Sequence, residues 1–384
     1  MRYCSLCFFI ILVLHFFGCK PKDEELSNNV SNRLSFSEDT IFFDTLFASV
    51  GSITKRLIVY NPNKNKIRVS SIILAGGSNS PYSIIVNGRS GPLVSDLEIL
   101  GKDSVYVLVK VLINPSNQNM PFLVSDSILF NTNTNNQKIL LETYGQDAHF
   151  YKKTTLPCNT TWTNDKPYVL YDTIQIGIGC ELKIEAGCKI YMHNAAAINV
   201  KGRLTVDGTK TDSVLIASDK LDASAKADLG QWGGIIFQTT STDNRISWTT
   251  IRNATTALKL FSVVDADTIA ELSLDHVSIL YTSKGLIDAA TVDLNGSNIL
   301  LSNSPYAALK HLGGCGVWKH CTFVNYSTRF VREEPCLVLG DNASSLKMYV
   351  FNSILWSDKT DEILATNTPA LFVQSSIWKS AFLG

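Results

Sequence analysis

From Leu34 onward, apolar residues recur at every second position in short runs. In the stretch SVYVLVKVL over 104–112, Val105, Val107, Val109 and Val111 fall on one side of an extended chain and Lys110 on the other. A period of two belongs to a strand with one buried face, whereas a helix would repeat every three to four residues. Similar runs cover 53–60, 67–74, 82–86, 123–130 and 138–144. Turn residues separate them: Asn61-Pro62-Asn63, Gly76-Gly77-Ser78-Asn79, Asn87-Gly88, Asn114-Pro115 and Asn131-Thr132-Asn133. About seven short strands over residues 34–150, without a helical signal, predict a β-sandwich.

Past Tyr151 the pattern becomes a staggered repeat. Leu182, Ile184, Gly187 and Ile190 are echoed by Ile198, Val200, Gly202, Leu204, Val206 and Gly208. Five later segments align without gaps: WTTIRN at 248–253, HVSILY at 276–281, GSNILL at 296–301, HCTFVN at 320–325 and FNSILW at 351–356. This register aligns Ile251, Ile279, Ile299, Phe323 and Ile354, with intervals of 28, 20, 24 and 31 residues. A unit that short cannot bury its own apolar side, but stacked units share one continuous core. Leucine-rich spacing is absent, and propeller blades would need about 40 residues each.

These segments resemble known families. Phe43–Gly51 followed by Lys55–Asn61 and closing at Gly145 is similar to the Ig-like modules of envelope and ciliary scaffold proteins. Residues 158–380, with GQWGGIIF at 230–237, resemble the right-handed parallel β-helix of the pectate-lyase-like family. The expected fold is therefore all-β: an Ig-like β-sandwich over 34–150, then a right-handed parallel β-helix over 151–384.

The N-terminus has a different character. Met1–Gly18 holds Arg2, then the apolar run Cys7–Phe17, then a small residue, the order of a secretory signal. Phe16-Phe17-Gly18-Cys19 resembles the lipobox of bacterial lipoproteins, with phenylalanines where that family usually has Leu and a small residue. The resemblance implies a signal peptide over 1–18 and lipidation of Cys19. Lys20–Glu25 is similar to the tether that marks Bacteroidota lipoproteins for the outer surface. Residues 19–33 are polar and read as a flexible tether. The expected location is the outer membrane, lipid-anchored and surface-exposed, with the membrane as partner through more than one acyl chain.

Composition narrows the partners. Formal net charge is zero and no long basic run exists, so nucleic acid is not an expected partner. After residue 19 no apolar run approaches the roughly 18 residues that a membrane helix requires. Cys158, Cys180, Cys188, Cys315, Cys321 and Cys336 permit disulfides in an exported protein, with the pairing open. Among these six, no CxxC pair points to zinc or redox chemistry.

Family membership raises the question of polysaccharide chemistry. Hydrolysis needs paired carboxylates, and β-elimination needs a calcium cluster with a basic residue. The chain has no Asp-Asp and no His-Gly. Leu274-Asp275-His276-Val277 is similar to a pectate-lyase segment but lacks its Trp, and it reads as a turn between repeats. Asp265 and Asp267 place two carboxylates on one side of an extended segment, a weak calcium signal. Arg329, Arg332, Glu333 and Glu334, beside Tyr326 and Phe330, form the densest charged cluster of the repeats and the candidate binding site. Seven Asp-(Ser/Thr)-aliphatic triplets, beginning at Asp39, Asp44, Asp103, Asp126, Asp172, Asp212 and Asp267, resemble an O-glycosylation sequon of exported Bacteroidota proteins. The expected function is a non-enzymatic surface lipoprotein presenting a face to glycan or protein, with no catalytic residue, metal or cofactor called for. The alternatives are a diverged polysaccharide lyase or glycoside hydrolase on the same scaffold, and a structural envelope subunit.

Overall fold

A computed structural model of the chain describes residues 24–49, 51–115, 122–221, 223–262, 270–326, 329–367 and 369–379. Cys19, Asp265 and Asp267 lie outside them. Among the described residues the protein is all-β, and its helical content is two short 3-10 turns, Gly77–Asn79 and Ala223–Ala227. The chain forms two compact units, Met1–Asn114 with Leu123–Gly145 and Pro115–Phe122 with Gln146–Gly384.

The first unit holds two five-stranded sheets. One runs Ser35–Phe36, Lys55–Tyr60, Ser104–Val111, Tyr82–Val86, Arg89–Ser90, every neighbour antiparallel. The other orders Thr40–Phe47, Asn135–Gln146, Phe122–Thr132, Ile67–Leu74 and Leu93–Ile99. The alternation is realised: Val107, Val109 and Val111 are buried while Lys110 is exposed. Asn61 is buried in a turn, where its amide donates to the carbonyls of Asn65, Ile99 and Leu100. Such pairing is what makes a buried polar side chain tolerable.

Residues 24–33, expected within the flexible tether, are bound to this unit. Glu24 accepts the Gly101 N–H at 2.6 Å, and Leu26 bridges Lys66. Asn133 and Asn135 donate to the carbonyls of Ser27 and Val30 at 3.0 and 2.8 Å. A segment with few apolar groups is ordered here because side-chain amides of the neighbouring strands satisfy its backbone.

The second unit is β-helix-like, with strands stacked in parallel. Its first strand, His149–Tyr151, begins before the boundary expected at 151. Nine parallel strands form the smaller sheet, from Thr154–Thr155 to Ile363–Thr366, one per coil. The larger sheet has seventeen strands and folds into two walls. The fold line is a column of left-handed residues: Trp248 (φ 45°), His276 (53°), Asn298 (57°), His320 (56°), Asn352 (48°) and Ser375 (53°). Left-handed backbone costs a non-glycine residue about 1–2 kcal/mol, least for Asn, so the tryptophan and histidines are held there by the coils they join. We call the strands before this corner the front wall and those after it the back wall.

The coils enclose one hydrophobic cluster running from Leu156 to Ile363. Its back-wall column is Ile251, Ile279, Leu301, Phe323 and Leu355, all fully buried and paired in succession. The gapless repeat alignment is therefore corrected at two places. Ile279 pairs with Leu301, not Ile299, and Phe323 with Leu355, not Ile354. The first error is a slip of two, which keeps the face, and Ile299 is still only 2% exposed. The second is a slip of one, which reverses the face, and Ile354 is 43% exposed.

The Trp-Gly-Gly segment has a steric origin. Trp232 is buried and donates Nε1–H to the Arg252 carbonyl at 2.8 Å. Gly234 adopts φ 113°, and a Cβ there would stand 1.9 Å from the Thr256 carbonyl oxygen.

Of the six body cysteines, Cys158 and Cys180 form a disulfide joining consecutive coils. Cys188, Cys321 and Cys336 are buried and free, and burial pushes their thiols up to about 11, 11 and 12. They act as small apolar side chains.

Candidate binding face

The charged cluster at 329–334 does not form one site. Tyr326, Arg329 and Glu333 lie on the surface, but Arg332 turns inward, its side chain only 4% exposed. Its guanidinium makes a two-pronged contact with the fully buried Glu362, Nη1 to Oε1 and Nη2 to Oε2, both 2.8 Å. It also donates to Ser357 Oγ, Asp358 Oδ1 and the Glu334 carbonyl. Glu362 completes its shell with the N–H groups of Cys336 and Lys359. Partial burial opposes ionisation of Asp358, yet the hydrogen bond and charge of Arg332 hold its carboxyl below the ordinary value. Glu334 accepts the Ala307 N–H at 3.1 Å. Arg332 and Glu334 thus serve the coil, and the local sequence hid this because Glu362 stands thirty residues away.

Asp275 and His276 stand at the corner expected for a turn. The His276 ring lies on Trp248 with centroids 3.8 Å apart and planes 8° from parallel. Its Nδ1 is 3.0 Å from Asp275 Oδ1, but the angle is unsuited to a hydrogen bond, and Nδ1 has no such partner. The imidazole works there as a stacked plate rather than as a base aligned by a carboxylate. Among the described residues, no group of three or more His, Cys, Asp or Glu side chains is placed to hold a metal ion. Trp232 and Trp318 are core residues, and Trp356 is 47% exposed.

The front wall assembles a surface that no single segment displays. Strand register brings Lys183, Thr205, Arg245, Ser273 and Asn295 into one outward row, continued by Val317, Tyr349 and Phe372. A parallel row runs Asp207, Ser247, Asp275, Ser297 and Lys319. At the first coils the charges pair off. Asp207 meets Arg245 at 2.9 Å and Lys183 at 3.6 Å, and Arg203 meets Asp243 at 2.6 Å. In the middle the side chains are short, leaving a depression of about 380 Å³ over Ser247, Ser273, Asn295 and Ser297, between Arg245 and Lys319. A smaller one of about 280 Å³ lies over the ion pairs. At the last coils Tyr349 and Phe372 stack with centroids 4.8 Å apart and planes 8° from parallel, Phe372 being 51% exposed. Five strand spacings of about 4.8 Å separate Arg245 from Phe372, giving a face about 24 Å long.

No family model matches the chain, and no curated protein sequence matches it either. Solved structures give only weak similarity. A protein of unknown function from Porphyromonas gingivalis W83 is 11% identical, over 32% of this chain and 49% of its own length, with a TM-score of 0.23. A family 123 glycoside hydrolase from Clostridium perfringens is 11% identical over 29% of this chain and 25% of its own, with a TM-score of 0.21. The ASH/PapD-like domain 7 of human CEP192 is 10% identical over 35% of this chain and 99% of its own, with a TM-score of 0.22. The chain spans about half the length of the first of these structures and a quarter of the second. None is similar enough to carry a functional argument.

Proposed function

We propose that this chain is a non-enzymatic surface lipoprotein. Cys19 carries the lipid, residues 34–150 form an Ig-like spacer, and a right-handed parallel β-helix presents its front wall to a glycan or protein outside the cell. One observation supports the binding-face reading above the rest: register aligns ion pairs, a floor of short polar side chains and an exposed aromatic stack along one wall. The helix contributes rigidity, since each coil fixes the next through its main-chain ladder. Export is supported by the Cys158–Cys180 disulfide, which persists in oxidising compartments.

Two measurements test this reading. Cys19→Ala should move the protein from the detergent phase to the aqueous phase, and unchanged partitioning removes the lipid anchor. Incubation with pectin or alginate, with and without calcium, should leave ultraviolet absorbance flat. The chromophore of an unsaturated uronide would transfer the protein to the lyases.

A further inference from the structure

The make-up of the front wall specifies more than a place to bind. Around the smaller depression stand three cations, Lys183, Arg203 and Arg245, and three anions, Glu181, Asp207 and Asp243. Each cation contacts an anion of the same wall, at 3.6, 2.6 and 2.9 Å. Glu181 instead accepts the Thr205 hydroxyl at 2.6 Å. Charges compensated at this range present little net field to a distant polyanion, and salt screens the remainder within a Debye length of about 8–10 Å. The floor beyond them carries one more opposite pair of charges, Asp275 and Lys319, and offers hydroxyls and an amide: Ser247, Ser273, Asn295 and Ser297. These groups donate and accept alike, as sugar hydroxyls do. The Tyr349 and Phe372 rings lie face over face, so the stack presents an apolar ridge of ring edges against which the C–H groups of a pyranose pack while its hydroxyls point sideways.

We infer that the front wall binds a neutral, hydroxyl-rich polysaccharide lying along the coil axis, with the Tyr349–Phe372 ridge as its anchor and the Ser273–Asn295–Ser297 floor as its hydrogen-bonding bed. This rests on the reading of the front wall as a binding face and adds the ligand class. The ion pairs brace the near end of the track and do not select charge.

The test uses the full chain in detergent, with affinity electrophoresis through an α-glucan, a β-glucan, a mannan or a xylan. Pectin and alginate serve as uronate polymers, each at low and high salt. At least one neutral polymer should retard the protein, with an affinity that salt leaves unchanged. Replacing both Tyr349→Ala and Phe372→Ala should weaken binding roughly tenfold or more, as loss of an anchoring aromatic does, while Tyr349→Phe retains it. Ser297→Trp, which fills the floor, should block it. Circular dichroism and melting identify any variant that has lost its fold. Retardation by uronate polymers alone, abolished at high salt and by Ser297→Trp, overturns the ligand class but leaves the face a binding face. Neutral binding that ignores both the ridge and the floor variants overturns the site. Retardation by no polymer of either class overturns this inference, and blocking of a purified surface protein's binding by Ser297→Trp would then preserve the binding-face reading alone.

Discussion

His311 points into the coil, between Ala289 and Leu339 of the adjacent strands, and is fully buried. Its Nε2 lies 2.9 Å from the Val292 carbonyl, which only accepts, so Nε2 carries a proton. Burial depresses the imidazole from 6.5 to about 4, against the opposing pull of the Val292 and Gly313 backbone. The unfolded chain therefore binds this proton at higher pH than the folded one. Stability is complete above pH 6.5 and declines as pH falls towards about 4, by about 3 kcal/mol in total. Urea titrations of His311→Asn should show a flatter slope across that window, and an unchanged slope would contradict a buried neutral ring. Arg332 is the opposite case, a buried charge kept ionised by a partner. Glu362→Gln leaves the guanidinium short of its main counter-charge and should cost about 3–5 kcal/mol. Replacing both partners, Arg332→Met with Glu362→Leu, should recover much of that loss, and a double variant as unstable as the single would disprove a pair-specific effect.

At the scale of strands, the corrected register makes a comparison that burial alone does not. Leu301→Asp puts an unpaired carboxylate into the back-wall column and should cost several kcal/mol. Ile354→Asp changes an outward side chain and should leave the melting temperature nearly unchanged. Equal damage from both would restore the original alignment. Strand type was legible because alternation is local. Register was not, because coils of unequal length meet only in space: Ile279 finds its partner 22 residues on, and Phe323 finds its own 32 residues on. The front-wall rows were hidden for the same reason. Arg245 pairs with Asp207 across 38 residues and Tyr349 stacks on Phe372 across 23, while the conspicuous local cluster at 329–334 proved partly internal. The Asp-(Ser/Thr)-aliphatic triplets also acquire a local meaning. Asp44, Asp103, Asp126 and Asp172 each accept the N–H of the following residue, at 2.8, 2.7, 2.7 and 2.6 Å. Asp103 and Asp172 make this contact at the entry to a strand, whereas Asp44 and Asp126 make it within one. Of the hydroxyls in these triplets, Ser127 is 5% exposed and closed to modification, whereas Ser213 is open to solvent.

On the scale of the molecule, the tryptophans report on one unit alone. Trp162, Trp232, Trp248, Trp318, Trp356 and Trp378 all follow Gln146, so their fluorescence follows the coils without contribution from the first unit. The Cys158–Cys180 disulfide also lies wholly within the coils and closes a loop of 22 residues. By the loop-entropy argument, such a cross-link stabilises by about 3 kcal/mol. In a unit of this size that corresponds to a melting shift on the order of 5–10 °C. The bridge ties the first coil to the second, and a terminal coil is laddered to another coil on one side only, so fraying begins most easily there. Reduction, or the double replacement Cys158→Ser with Cys180→Ser, should therefore lower the fluorescence-detected midpoint. The tyrosine near-ultraviolet signal of the first unit, from Tyr60, Tyr82, Tyr106 and Tyr144, is expected to move much less, once the coil contribution is subtracted by its own fluorescence curve. A midpoint insensitive to reductant would mean that unfolding starts at the far end of the stack, among the last coils, and that the bridge restrains a region still folded when the transition occurs.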